Sequence, residues 1–200
     1  MKRIFEVVRS AVLAGMAISM GCVVNVKVGG WMGPVLFSFG LLTVVHYKMR
    51  LYTGTAGFIR SRQDFADLLW ILLGNALGCL LMAGLAWVAL PEVAEGCLGI
   101  CAARLARGAG ALVVLGGLCG FIMTTAVEFG REGRFLPLLF GVPLFIMAGF
   151  CHSIADAFYL LVALLNGCDG VWNVLWAWLL VVLGNFIGCN FYRLVMWKWK

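Results

Sequence analysis

The sequence predicts an all-α integral membrane protein of six transmembrane helices in an inverted 3+3 repeat, with broken second and fifth segments. Three observations predict it. Of the 200 residues, 64% are hydrophobic and 12% charged, against about 45–50% and about 25% in soluble domains. Neither a soluble core nor a disordered chain fits that balance. Apolar runs near the ~20 residues that a spanning helix needs recur along the chain. Finally, a glycine-asparagine heptapeptide in the third run returns in the last.

The elements follow in order as one domain over 1–200, with repeat halves at about 11–90 and 108–197. Helix 1 covers about 11–28. Lys2, Arg3 and Arg9 ahead of it superficially resemble a signal peptide, but no small-x-small cleavage site follows, and Gly15 and Asn25 suit a retained helix. Segment 2 covers about 34–59. Its unbroken part, 34–45, is too short to span before His46-Tyr47-Lys48-Met49-Arg50 and Tyr52-Thr53-Gly54-Thr55 intervene. Helix 3, about 65–90, carries Leu73-Gly74-Asn75-Ala76-Leu77-Gly78-Cys79. Helix 4, about 108–129, contains Gly116, Gly117 and Gly120. Segment 5, about 136–165, is interrupted by Cys151-His152-Ser153 and Asp156. Helix 6, about 171–197, carries Leu183-Gly184-Asn185-Phe186-Ile187-Gly188-Cys189.

The two heptapeptides lie 110 residues apart and agree at five of seven positions. Glycines four apart let helix backbones approach, and an asparagine beside them hydrogen-bonds across the contact or into a cavity. Three crossings per half is an odd number, so the second copy runs in the opposite sense. Lys and Arg placement orients the whole. With the N-terminus inside, Lys2, Arg3, Arg9, Arg60, Arg62, Arg131, Arg134, Arg193, Lys198 and Lys200 lie inside and only Lys27, Arg104 and Arg107 outside. Both termini are therefore expected on the cytoplasmic side. Trp197 and Trp199 fit an inner interfacial belt, Trp31 and Trp172 an outer one.

The net charge of +6 includes no Lys/Arg run, which argues against nucleic acid as a partner. Of the eight cysteines, only Cys97, Cys101 and Cys168 fall in or near connections. Cys97-x-x-x-Cys101 admits three readings: a thiol oxidoreductase pair, an ordinary loop disulfide, or two free thiols. A di-haem cytochrome using His46 and His152 has too few histidines. A membrane scaffold leaves the polar residues of both broken segments unexplained. No zinc spacing, phosphate-binding glycine loop or nucleophile–base pair occurs, so no enzyme, cofactor or metal is expected.

Ionisable residues at membrane depth face a cavity or a partner, and matching interrupted segments point to a solute path. His152, mid-segment, is the foremost candidate for that path because imidazole switches donor forms near neutrality, and it is expected to donate a proton or a hydrogen bond so that a weak acid crosses neutral. His46 also reads as a satisfied helix-end residue, Lys48 and Arg50 as snorkelling cations, and Asp156 as their ion partner.

The stretch Gly149-Phe150-Cys151-His152-Ser153-Ile154-Ala155-Asp156 closely resembles the G-F-x-H-S-I-A-N signature of the formate/nitrite transporter family. Phe37-Ser38-Phe39-Gly40-Leu41 and Leu51-Tyr52-Thr53-Gly54 resemble that family's F-S-x-G-L and L-F-T-G stretches, and both Gly-Asn-x-x-Gly copies match its third and sixth helices. The resemblance implies an aquaporin-like protomer, a homopentamer in the cytoplasmic (inner) membrane of a prokaryote, and one pore per protomer. The partners it implies are membrane lipid, protons and a small monovalent anion or its acid: formate, nitrite, lactate, acetate or hydrosulfide. Residue by residue, it implies a cytoplasmic-side constriction at Phe37, Leu41 and Phe145 and an outer one at Tyr52. It also implies a central His152 faced by Thr53, and an anion-attracting cation near Arg104. Asn75 and Asn185 are the polar residues of its packing motifs. Departures are Arg50, with Lys48 nearby, where an acid is usual, Asp156 where Asn is usual, and Gly120 where Asn is common. An Arg50–Asp156 pair would account for two of them together.

Overall fold

The computed structural model describes residues 2–168 and 170–196, and among them it has eight α-helices and two short 3-10 turns. The first half holds α1 (Lys2–Val28), α2 (Met32–His46) and α3 (Arg62–Ala89), with a 3-10 turn at Ala56–Phe58 between the last two. A second turn, Pro91–Val93, leads into α4 (Ala94–Leu105). The second half holds α5 (Ala109–Arg131), α6 (Leu136–Met147), α7 (Ser153–Leu165) and α8 (Val171–Val195). Four of these, α1, α3, α5 and α8, are long and apolar enough to cross a membrane by length and composition, whereas α2, α6 and α7 are shorter apolar helices.

Two differences from the sequence reading have simple causes. Helix α1 starts well before position 11, at Lys2, because its polar first turns are held: Arg3 pairs with Asp67 of α3. Helix α4 falls where the sequence suggests only a connection, being too short and too mixed to register as a span. Trp197, Trp199, Lys198 and Lys200 lie outside the described residues.

The helices pair as α1 along α3 and α5 along α8. Glycine sets both distances. A Cβ at Gly78 would collide with the Val12 carbonyl oxygen, and one at Gly188 with that of Gly117. Lipid tails give helices little hydrophobic reason to associate, so this close backbone packing and the hydrogen bonds below hold the bundle. Between the pairs runs α7, packed on α3, α1 and α4.

Each half stops a helix in the same way. At the end of α2, Met49 N–H bonds the Val44 carbonyl and Lys48 N–H that of Val45; at the end of α6, Phe150 N–H bonds Phe145 and Gly149 N–H Ile146. This is the Schellman pattern, which needs a left-handed residue. Gly149 supplies it at φ +72°, and in the first half Lys48 does so at φ +52°. Each stop exposes backbone groups that one asparagine collects. Asn75 Nδ2 donates to the Ala11 and Arg50 carbonyls, and its Oδ1 accepts from Tyr52 N–H. Asn185 Nδ2 donates to the Gly116 and Cys151 carbonyls, and its Oδ1 accepts from Ser153 N–H. Two buried thiols then tie the halves together: Cys79 donates to the Ile154 carbonyl at 3.3 Å, and Cys189 to that of Thr53 at 3.4 Å.

Candidate functional site

The two helix stops meet at the centre. His152 is the N-cap of α7, and its Nδ1 accepts from Ala155 N–H at 3.1 Å. With Nδ1 serving as acceptor, the ring proton of the neutral imidazole sits on Nε2. Nε2–H therefore donates to Thr53 Oγ1, 3.0 Å away. Thr53 keeps its own hydroxyl proton free to donate onward. A proton added at Nδ1 would face the Ala155 N–H, donor against donor. His152 is 1% exposed and Thr53 fully buried.

A cavity of about 270 Å³ opens on one side of the pair. It is lined by Asn25, Phe37, Arg104, Phe145, His152, Asp156 and Tyr159, among others. Phe145 stacks on the His152 ring with centroids 5.5 Å apart, and Phe37 meets Phe145 edge-on at 6.1 Å. Asn25 Nδ2 donates to the Tyr159 hydroxyl at 3.1 Å. Arg104 Nε and Nη2 donate to the two Asp156 carboxylate oxygens at 3.1 and 3.2 Å.

A second cavity, about 610 Å³, is lined by His46, Lys48, Arg50, Leu51, Gly54, Thr55 and Arg131, among others, and by no Asp or Glu among the described residues. Arg131 Nη2 donates to the Gly54 carbonyl at 2.7 Å, and its guanidinium lies 4.2 Å over the Phe58 ring. Among the described residues, Lys48, Arg50 and Arg131 make no ion pair.

Several expectations are corrected. Asp156 pairs with Arg104, not with Arg50 or Lys48, because α4 folds back over α7 while Lys48 and Arg50 line the other cavity. Phe37 and Phe145 share a cavity with Arg104, so they lie on the Arg104 side of His152, opposite to the side implied for them. Tyr52 donates its hydroxyl to the Val182 carbonyl at 3.2 Å. Leu41 is fully buried and, like Tyr52, lines neither cavity. His46 and His152 line separate cavities. Cys101 meets Cys168, their sulfurs 3.4 Å apart, although Cys97 is its partner in sequence. Sequence reasoning misses Arg131 and Tyr159 as site residues. Arg131 registers there only as one more inside charge, and Tyr159 sits in an apolar run that gives no signal.

Comparison with known proteins places this geometry in context. The family model described as formate/nitrite transporter matches residues 1–198. A search of curated protein sequences returns no match. Among solved structures, a pentameric formate channel with formate bound is 19% identical, with a TM-score of 0.82 covering 98% of this chain and 99% of that one. A channel described as an FNT family ion channel is 21% identical, with a TM-score of 0.79 covering 94% and 87%. The shared fold extends over nearly the whole chain.

Proposed function

The chain belongs to the formate/nitrite transporter family, and on that premise we propose that it passes small monovalent anions, or their conjugate acids, through a pore in each protomer. The solutes are formate, nitrite or a related short monocarboxylate; hydrosulfide is the alternative of the same class. The path runs from the Arg104 cavity through the Phe37–Phe145–His152 stack, past Thr53, to the Lys48–Arg50–Arg131 cavity. In this reading, α2 with its following loop and α6 with α7 each make one broken crossing, six in all, as an inverted repeat. The chain assembles as a homopentamer, as the neighbouring formate channel does, with both termini on the cytoplasmic side.

The observation that carries the proposal is the Thr53–His152 contact where two helix breaks meet between two cavities. A bare anion is costly in an apolar constriction. Neutral His152 offsets part of that cost by donating through Nε2–H, directly or by way of the Thr53 hydroxyl. It acts as a hydrogen-bond donor rather than as an imidazolium. The weak acid brings its own proton when it crosses neutral, while the phenylalanine rings exclude hydrated cations. Cationic residues at the wide cavity concentrate anions at its mouth.

The test is stopped-flow flux in proteoliposomes at two pH values, with formate, nitrite, acetate and hydrosulfide, and His152→Ala as control. Saturable flux that the substitution lowers at both pH values is the expected result. Absence of flux for all four would overturn the reading.

A further inference from the structure

We propose that Cys101 and Cys168 form a reversible disulfide that staples α4 to the α7–α8 turn over the Arg104 cavity. Their sulfurs are 3.4 Å apart although the residues are 67 positions apart in sequence. Cys101 lies in an apolar cluster with Leu160 and Ala163 of α7 and Val174 of α8, which fixes its helix against both. Cys168 is half-buried in the turn after α7, where its N–H bonds the Ala163 carbonyl at 3.0 Å. Of the eight cysteines only Cys168 is not buried, and the sulfur it meets is that of Cys101, so oxidation starts at Cys168 and is passed to Cys101. Arg104 follows Cys101 by three residues and grips Asp156, so the staple and the ion pair fix the same stretch of α4.

By the placement of basic residues, this end of the bundle faces outward, where thiols meet an oxidising milieu. The oxidant is a disulfide, borne by a small molecule or by a thiol-exchanging protein. The Cys168 thiolate, the more accessible of the two, attacks one oxidant sulfur and releases the other as a thiol. The Cys101 thiolate then attacks the Cys168 sulfur of the mixed disulfide and releases the second thiol. Two protein thiols become one disulfide; two electrons and two protons pass to the oxidant.

The test treats the purified full-length chain with oxidised glutathione, alkylates the remaining thiols, and maps linked peptides by mass spectrometry. Thermal unfolding is followed with and without reductant. A Cys101–Cys168 link, six alkylated thiols and a midpoint several degrees higher until reductant is added are expected. C97S should behave as the wild type. Eight alkylated thiols, a Cys97–Cys101 link, or a correct link with no shift in midpoint would overturn the staple. These readouts involve no solute, so their failure leaves the pore reading standing, and an inactive pore leaves them unaffected.

Discussion

Thr53 decides what His152 is able to do. Its Oγ1 is the acceptor that holds Nε2–H in place, while Ala155 N–H occupies Nδ1. Thr53→Val keeps the volume and removes the acceptor and the onward donor. Flux should fall roughly tenfold, about 1.4 kcal/mol, and Thr53→Ser should restore most of it in the same liposome assay. Equal flux in the serine and valine variants would show that Thr53 only fills space. The Arg104–Asp156 pair is the other residue-scale feature, with side-chain exposures of 15% and 2%. Removing one partner of a buried pair leaves an uncompensated charge, at a cost of about 3–5 kcal/mol. Arg104→Ala should therefore lower the unfolding midpoint sharply, and adding Asp156→Asn should recover most of the loss. A double variant no more stable than the single would refute the pairing. The sequence announces that Asp156 needs a cation but not which one. The sequence points to Lys48 or Arg50, and the fold-back of α4 brings Arg104 instead. By contrast Lys27 and Glu92, 2.7 Å apart, are both well exposed. Lys27 donates to Glu92 and holds its carboxyl below the usual range. That contribution is present above the ordinary carboxylate pKa and is lost as pH falls through the lowered value; exposure keeps it small.

Helices are where the sequence is most legible. Long apolar runs give α3, α5 and α8 nearly to their ends, and α1 at its C-terminal end only, because hydropathy dictates the spanning part of a helix and not its polar first turns. The ends of α2 and α6 are legible as polar residues in apolar runs. The manner of stopping is not, since one break uses Gly149 at φ +72° and the other Lys48 at φ +52°, a residue that sequence reading does not associate with a left-handed turn. The heptapeptides signal close packing, and the structure gives the reason for their shared glycines and asparagines. Gly78 and Gly188 touch backbone across the helix pair, while Asn75 and Asn185 each collect three backbone groups. Gly84, on the same helix as Gly78, faces open space, and a methyl group added there would meet nothing within 4 Å. Gly78→Ala should cost at least 1–3 kcal/mol, roughly the range for overpacking, because a carbonyl rather than a flexible side chain is in the way. Gly84→Ala should be neutral or stabilising by up to about 1 kcal/mol, the difference in helix propensity. Folded yield and unfolding midpoint of the two variants check this; equal losses would mean that the helix pair tolerates a wider spacing than the structure has.

At the scale of the whole molecule, the two cavities differ in charge more than the halves differ in backbone. On one side the cation is cancelled: Arg104 is bound through two of its donor nitrogens to Asp156. On the other, Lys48, Arg50 and Arg131 line a cavity of about 610 Å³ with no acidic residue among those described in its wall. Matching asparagine and glycine contacts in the two halves thus accompany an asymmetric field. Charges at a cleft raise the local concentration of a counter-ion and its rate of entry, by about 10- to 1000-fold in strong cases, and salt screens them within a Debye length of about 10 Å at 0.1 M. The Arg104 cavity should add little of this steering and the Lys48 cavity most of it. Arg131 is committed to the Gly54 carbonyl and the Phe58 ring, so its removal would disturb the loop as well as the field. Lys48 and Arg50 are exposed and without ion-pair partners among the described residues, so Lys48→Gln with Arg50→Gln changes the field with least structural effect. That double variant should lower formate flux roughly tenfold at low ionic strength when formate starts on the Lys48 side. The deficit should shrink towards nothing at about 0.5 M of an inert salt, where the Debye length is only about 4–5 Å. Flux started from the Arg104 side should change much less. A deficit that is equal from both faces, or that persists in high salt, would mean that these cations act on the pore by contact rather than through their field.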